Sequence, residues 1–308
     1  MKKMKHLFFV VIAMLVLSAC SMNSSVEQND AADEGTKEGA VKVGFSISTL
    51  NNPFFVTLSE GAKAVSEENG VELVIVDAQD DASKQASDVE DLIQQGIDLL
   101  LINPVDSSAV GSAVESANAA GIPVITVDRS ADSGEVISHI ASDNVAGGKL
   151  AGEYLLELAG EGAKVAMLEG VPGSSAARDR GAGFLEAVEG KVDLVSSQTA
   201  NFNRSEGLSV MENMLQAHPD IEAVFAQNDE MALGAIEAIS AAGKDIIVIG
   251  FDATDDAVKK VEEGVMAATV AQKPEEIGKI AVETAIKYLN GESVEEFVPV
   301  DLELVTKQ

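Results

Sequence analysis

The feature that most constrains this sequence is a helix-turn-strand unit that occurs twice. Residues 103–129, NPVDSSAVGSAVESANAAGIPVITVDR, read as a helix with small and apolar residues on one face, a turn at Gly121, and a buried strand over 123–127. Residues 228–252, NDEMALGAIEAISAAGKDIIVIGFD, repeat the pattern, with A-L-G-A-I-E standing where the first unit has A-V-G-S-A-V-E. Both helices end in A-A-G, and both apolar runs stop at an aspartate, Asp128 and Asp252. Two such units predict two similar α/β lobes facing one another. Ligands of open α/β sheets bind beyond the carboxyl ends of the strands, so a cleft between two such rims is the expected site.

The rest of the chain keeps the same rhythm. Apolar runs predict strands over 41–47, 71–77, 98–102, 123–127, 164–168, 193–198, 222–226, 245–250 and 267–271. Amphipathic patterns between them predict helices near 54–69, 84–96, 108–120, 146–159, 176–189, 206–217, 230–242, 255–263 and 275–290. Alternation at this spacing gives βαβ units, hence doubly wound parallel sheets with helices on both faces. A chain of 308 residues is long enough for two ordinary cores.

Before that region lies a segment of another kind. Lys2, Lys3 and Lys5 precede an apolar run over 7–17, too short to span a bilayer, and residues 1–20 read as an export signal. Its end, Leu17-Ser18-Ala19-Cys20, resembles the lipobox of bacterial lipoproteins, which implies cleavage before Cys20 and lipidation of its thiol. The alternative is a signal peptide with an incidental cysteine. Acyl methylenes at ~0.8 kcal/mol each, on more than one chain, anchor a protein stably to a membrane surface. Residues 21–40 are polar, acidic and nearly free of large apolar side chains, a flexible tether by composition. No other apolar run is long enough to cross a membrane.

A formal charge of −30 excludes nucleic acid as a partner, because phosphate binding needs clustered Lys and Arg. Acidity of this degree keeps a chain soluble and is also a lever of salt-adapted proteins. The single cysteine rules out an intramolecular disulfide and a cysteine metal cluster. Enzyme motifs are incomplete. Gly44-Phe45-Ser46-Ile47-Ser48 lacks the closing Gly of a nucleophile elbow, and Gly147-Gly148-Lys149 lacks the remainder of a phosphate loop. His139 and His218 have no ligand-spaced partner, and His6 belongs to the signal. Among 51 acidic residues, nearby carboxylates carry little meaning. Neither a catalytic residue, a metal site nor a cofactor is expected.

Candidate binding residues sit just past strand ends. Ser48 to Phe55 (STLNNPFF) follows the first strand, and Asp128-Arg129, Asn228, Asp252 and Gln272 follow later ones. Phe54 and Phe55 read either as core or as apolar walls of a site, and Arg129 either as a surface ion or as a ligand donor.

Taken together, STLNNPFF, LLLINP, VITVDR, HIASDN, SSAARDRG, VFAQNDEMALGA, IGFD, ATVAQ and the closing PVDLELV resemble, in this order, the ribose-binding proteins of bacterial ABC importers. The resemblance spans 41–308 and implies a two-lobed fold of the periplasmic-binding type. It places three hinge crossings near 142–143, 272–273 and 301–302. The lobes would then be 41–142 with 273–301, and 143–272 with 302–308. It further implies a ligand set of Asn52, Phe54, Phe55, Asp128 and Arg129 from one lobe, and Arg180, Phe202, Asn228, Asp252 and Gln272 from the other, with Ser48 as a weaker candidate. All these positions hold the residue the family has there.

The implied activity is capture of D-ribose by hinge closure and delivery to an importer permease, by a lipid-anchored monomer on the outer face of the cytoplasmic membrane, with a chemoreceptor left open as a further partner. An allose-like hexose or a cyclic signalling furanose remains an alternative ligand, and a secreted sugar-processing enzyme an alternative class. A sugar-responsive transcription regulator would carry a basic helix-turn-helix where this chain has a signal and an acidic tether. The chemistry suits a pentose, whose C–H faces can be covered by phenyl rings while planar Asp, Asn, Gln and Arg groups bond the hydroxyls around its edge.

Overall fold

The computed structural model describes residues 40–307. The export signal with Cys20, and the tether up to residue 39, lie outside the described residues. The chain begins β1 (Lys42–Ile47), α1 (Pro53–Asn69), β2 (Glu72–Asp77), α2 (Ala82–Gln94), β3 (Leu99–Ile102), α3 (Gly111–Ala119), β4 (Val124–Val127) and β5 (Ser138–Ser142). It continues α4 (Asn144–Ala159), β6 (Lys164–Glu169), α5 (Ser175–Val188), β7 (Asp193–Thr199), α6 (Arg204–Ala217), β8 (Ala223–Ala226), α7 (Asp229–Ala241) and β9 (Ile247–Asp252). The remaining elements are α8 (Asp255–Glu263), β10 (Ala268–Ala271), α9 (Pro274–Leu289), β11 (Phe297–Val300) and β12 (Glu303–Thr306).

The strands form two sheets, ordered β11-β5-β4-β3-β1-β2 and β12-β10-β9-β8-β6-β7. Every pairing is parallel except that of β10 with β12. Strands such as Leu99–Ile102 and Ala223–Ala226 are buried along their whole length because helices cover both faces. Each sheet accordingly has two apolar layers. The first sheet packs Phe45, Leu58 and Ile277 on the α1 and α9 side, and Leu92, Leu100 and Val114 on the α2 and α3 side. The second packs Leu155, Phe184 and Phe225 on the α4 and α5 side, and Met211, Met231 and Ile236 on the α6 and α7 side. The α/β architecture with two similar parallel-sheet lobes is the one the repeated unit predicts.

Between the sheets the described chain passes three times, from β5 into α4, from β10 into α9, and from β11 to β12. Three strands escape the apolar-run reading. The sequence of β5, SHIAS, has no continuous apolar run, although Ser138 and Ser142 are as buried as Ile140. The strand β11 contains Pro299, which ordinarily argues against a strand. It is tolerated because β11 is an edge and pairs only with β5. At the opposite sheet's edge, β12 has four residues and is the antiparallel member.

Candidate ligand-binding site

The carboxyl ends of the strands face a cleft between the two sheets, and the backbone there is unusual. Among the described residues, the non-glycine positions with positive φ are Gln79, Asp80, Asp128, Asn201, Phe202, Asp252 and Ala253. All follow or end strands of the two rims, and three of them, Asp128 (φ 63°), Phe202 (57°) and Asp252 (122°), are candidate site residues. Such conformations cost of order 1–3 kcal/mol each and cluster where a side chain must be aimed. Helix starts add further candidates. Asn52 caps α1, its Oδ1 accepting from Phe54 N at 2.9 Å, and Asn228 caps α7, its Oδ1 accepting from Met231 N at 3.0 Å.

Between the rims lies a cavity lined by Asn52, Phe54, Asp128, Arg129, Ala176, Arg180, Phe202, Asn228, Asp252 and Gln272. Nine of those lining residues are sequence candidates, drawn from segments more than 200 residues apart. Two candidates stand behind the cavity wall. The Phe55 ring lies under the Arg129 guanidinium at 5.1 Å and lines a side chamber with Asn51, Asp80 and Arg204. Ser48 is fully buried and donates its backbone N–H to Asn103 Oδ1 at 3.2 Å. A wider groove of about 790 Å³ runs beside the cavity past Thr57, Asp255, Lys273 and Lys279. It shares Phe54, Asp252 and Gln272 with the cavity, and its other walls include the solvated ends of α1, α8 and α9. Of the seven buried side-chain polar atoms without a protein partner among the described residues, three belong to the smaller cavity's lining.

The other four are the hydroxyls of Ser48, Ser138, Ser142 and Ser174, and the three in the cavity lining are Asp128 Oδ1, Arg129 Nε and Gln272 Oε1. Around them each arginine faces an aspartate at a separation too long for a direct hydrogen bond, 3.8 Å for Arg129 Nε to Asp128 Oδ2 and 3.7 Å for Arg180 Nη1 to Asp252 Oδ1. Two carboxylates and two guanidiniums thus balance in charge while keeping donors and acceptors available, which suits a neutral polyhydroxyl ligand better than an ion. Rings complete the walls. Phe202 lies 5.3 Å from the Arg129 guanidinium and 5.8 Å from that of Arg180, and Phe54 meets Phe55 edge-on at 5.1 Å.

Burial sets the electrostatics. It pushes the Asp252 carboxyl up to about 7, against the opposing pull of the Arg180 guanidinium and the Gln272 amide. It also raises Asp128, whose charge Arg129 and Arg180 favour, and lowers both arginines.

Supporting residues that the sequence reading did not single out hold these groups. Arg180 Nε donates to Asn144 Oδ1 at 2.8 Å and Nη1 to the Gln227 carbonyl at 2.8 Å, while its guanidinium stacks 3.9 Å from the Phe251 ring. The helix carrying Arg180 packs against α4 at Gly148, where a Cβ would overlap the Arg180 carbonyl oxygen. Asn103 Nδ2 donates to the Val127 carbonyl at 3.0 Å and approaches Asp128 Oδ2 at 3.4 Å, bracing the turn after β4. Its place directly after β3 is the same strand-end signal that marked Asp128.

On one side the rims touch. Ser107 N donates to the Gly173 carbonyl at 2.9 Å, Ser175 N to Ser107 Oγ at 3.1 Å, and Ser130 N to Ser175 Oγ at 2.9 Å. Ser174, the residue before α5, makes no capping bond of its own, so the Ser107 hydroxyl caps that helix from the opposite lobe. Arg178 Nη2 adds a 3.0 Å bond to Asp132 Oδ1. The cleft is closed along this edge.

Residues 43–293 match the family described as periplasmic binding protein domain. This chain belongs to that family. Among its relatives, the protein named ribose import binding protein in Bacillus subtilis strain 168 is 52% identical over 299 residues, covering 97% of each chain. The protein of the same name in Escherichia coli K12 is 52% identical over 295 residues, 95% of this chain and 97% of the other. Among solved structures, a solute-binding protein of an ABC transporter from Mycobacterium smegmatis, holding glycerol, superposes with a TM-score of 0.84 at 42% identity, covering 87% of this chain and 95% of that one. A periplasmic binding protein works by holding a solute between its lobes, so the cleft is the place to seek one. No group of three or more His, Cys, Asp or Glu placed to hold a metal ion occurs among the described residues.

Proposed function

We propose that this protein captures D-ribose outside the cytoplasm and delivers it to the permease of an ABC importer. The observation that carries the reading is the charge-balanced, ring-walled cavity whose lining includes the unpartnered buried atoms of Asp128, Arg129 and Gln272. The names of relatives at 52% identity support ribose as the sugar. In this reading Phe54 and Phe202 cover the faces of the ring. Asp128, Arg129, Arg180, Asp252 and Gln272 bond its hydroxyls, and Asn52 and Asn228 contribute what their capping bonds leave free. Phe55 and Ser48 act from behind, through Arg129 and the β1 rim. The segments 41–142 with 273–301, and 143–272 with 302–308, move as two bodies about the three crossings, and ligand contacts from both favour the closed form. Cys20 carries the lipid that keeps the protein at the outer face of the cytoplasmic membrane.

Ligand at 100 times its dissociation constant stabilises a native state by ~2.7 kcal/mol, roughly 5–11 °C of melting temperature at this domain size. D-ribose is expected to give such a shift, and xylose or arabinose less, because a misplaced hydroxyl leaves a buried group unpaired. Asp128→Ala is expected to abolish the shift while the ligand-free protein stays folded. A variant that bound ribose as well as the parent would remove the cavity from consideration.

A further inference from the structure

Asp229 stands one residue after the expected ligand residue Asn228, is completely buried, and does not line the cavity. An isolated buried carboxylate is costly unless hydrogen bonds satisfy it, and this one is satisfied in a particular way. Its Oδ2 accepts from Thr254 N at 2.8 Å and from Thr254 Oγ1 at 3.2 Å, and its Oδ1 accepts from Thr269 Oγ1 at 2.8 Å. Thr269 Oγ1 in turn accepts from Ala253 N at 3.1 Å. These donors all come from the turn after β9 or from the β10 threonine that holds that turn, and none from its own helix. Room for the carboxylate exists because residue 250 is glycine, where a Cβ would overlap Asp229 Oδ1.

The turn so gripped is the one that aims Asp252. Asp252 and Ala253 have φ of 122° and 55°, consecutive non-glycine residues in a region that favours glycine. A chain left to itself would relax them, swinging the Asp252 carboxylate off the cavity and away from Gln272 Nε2, which donates to Asp252 Oδ1 at 2.9 Å. We propose that Asp229 is the positioning residue for Asp252, fixing through Thr254 and Thr269 the strained turn that presents the Asp252 carboxylate to the sugar. The proximity of the two carboxylates fits a cost accepted for geometry, since burial and the Asp252 charge both push Asp229 well above the usual carboxylate range. As regards the ligand, the inference rests on the ribose reading; as regards the turn, it stands on geometry alone.

The test has one arm for each. Calorimetry with D-ribose on the parent, Asp229→Asn, Asp252→Asn and the double variant forms a cycle. Asp229→Asn is expected to weaken binding at least tenfold in the parent background and less than threefold once Asp252 is Asn. Equal losses in both backgrounds, or binding within twofold of the parent, would overturn the inference while leaving the sugar reading intact. The second arm needs no sugar. Amide exchange in the ligand-free protein is expected to quicken at least tenfold at Ala253 and Thr254 in Thr269→Val, with β9 itself unchanged; unchanged exchange at both amides would overturn the clamp. A parent protein that ignores ribose would refute the sugar reading and leave this second arm to decide. Should Asp229→Asn fail to fold, Thr269→Val takes its place in the cycle.

Discussion

Gly173 offers the sharpest test of closure. It sits in the loop before α5, where its carbonyl takes the Ser107 N–H across the cleft. A Cβ there would overlap the Asp106 carboxylate of the opposite lobe. That carboxylate is not free to move aside, because Oδ1 accepts from Ser108 N at 2.9 Å and from Ala109 N at 2.7 Å, capping the turn that leads into α3. Closing over an alanine therefore means giving up that cap or the neighbouring cross-cleft bonds of Ser107 and Ser175. A lost cap costs about 1–2 kcal/mol, equivalent to a five- to thirtyfold loss of affinity. With the lobes apart, as the proposed hinge requires, that overlap would be absent, and the backbone of Gly173 is not among the positive-φ glycines, so alanine is expected to be tolerated there. Gly173→Ala is thus expected to leave the melting temperature of the ligand-free protein within a few degrees while raising the dissociation constant for ribose by that factor, measured by calorimetry. In an Asp106→Ala background the substitution should have almost no further effect. Affinity within twofold of the parent in the single variant would refute the claim that closure needs these surfaces in contact.

Other outcomes follow from the site. If Asp252 holds the sugar as proposed, the hydroxyls donate to its ionised form, and burial holds that carboxyl up to about 7. Ribose affinity should therefore rise as pH climbs from 5 to 8, by no more than tenfold per unit for one proton, with protons released on binding at pH 6. A pH-independent affinity in calorimetry with buffers of different ionisation enthalpy would contradict this. Phe202→Ala should weaken ribose binding by roughly 1.5–3 kcal/mol, the worth of a covered aromatic surface; an unchanged dissociation constant would take that ring out of the site. Replacing Cys20 with Ser should shift the protein from membrane to precursor or soluble fractions in a bacterial host, and unchanged membrane retention would defeat the lipid anchor.

The fold was legible because its signal is periodic and doubled. Fully buried parallel strands such as Leu99–Ile102 appear in the sequence as unbroken apolar runs, and an aspartate ending two such runs marks both rims. What stayed hidden follows from tertiary context. The strand β5 buries two serines and carries a half-buried histidine, with His139 Nδ1 2.9 Å from Thr126 Oγ1, so hydropathy misses it. Pro299 in β11 is acceptable only because nothing pairs on its outer side, a fact of sheet order that no local pattern carries. Of the cavity lining, Asp128, Arg129, Asn228, Asp252 and Gln272 are marked by their places after strand ends and Arg180 and Phe202 by the family resemblance alone, whereas Asn144, Gln227 and Asp229 support other groups and give no periodic sign. The separation of Phe55 from Phe54 was likewise unreadable, because adjacent helical residues face different directions and only the placement of Arg129 shows which one meets the cavity.

The doubled duty of two asparagines restricts how this protein could change its diet. Asn52 and Asn228 border the cavity, yet each also holds the first turn of a helix through its Oδ1. A substitution that retuned either toward another sugar would also uncap α1 or α7, at about 1 kcal/mol apiece. Gln272 and Phe202 carry no such second task at a helix end. Lineages of this chain that drift to new sugars are therefore expected to keep both asparagines and to vary at the glutamine and the ring, so that the range of ligands open to its descendants is set as much by helix capping as by the shape of the sugar.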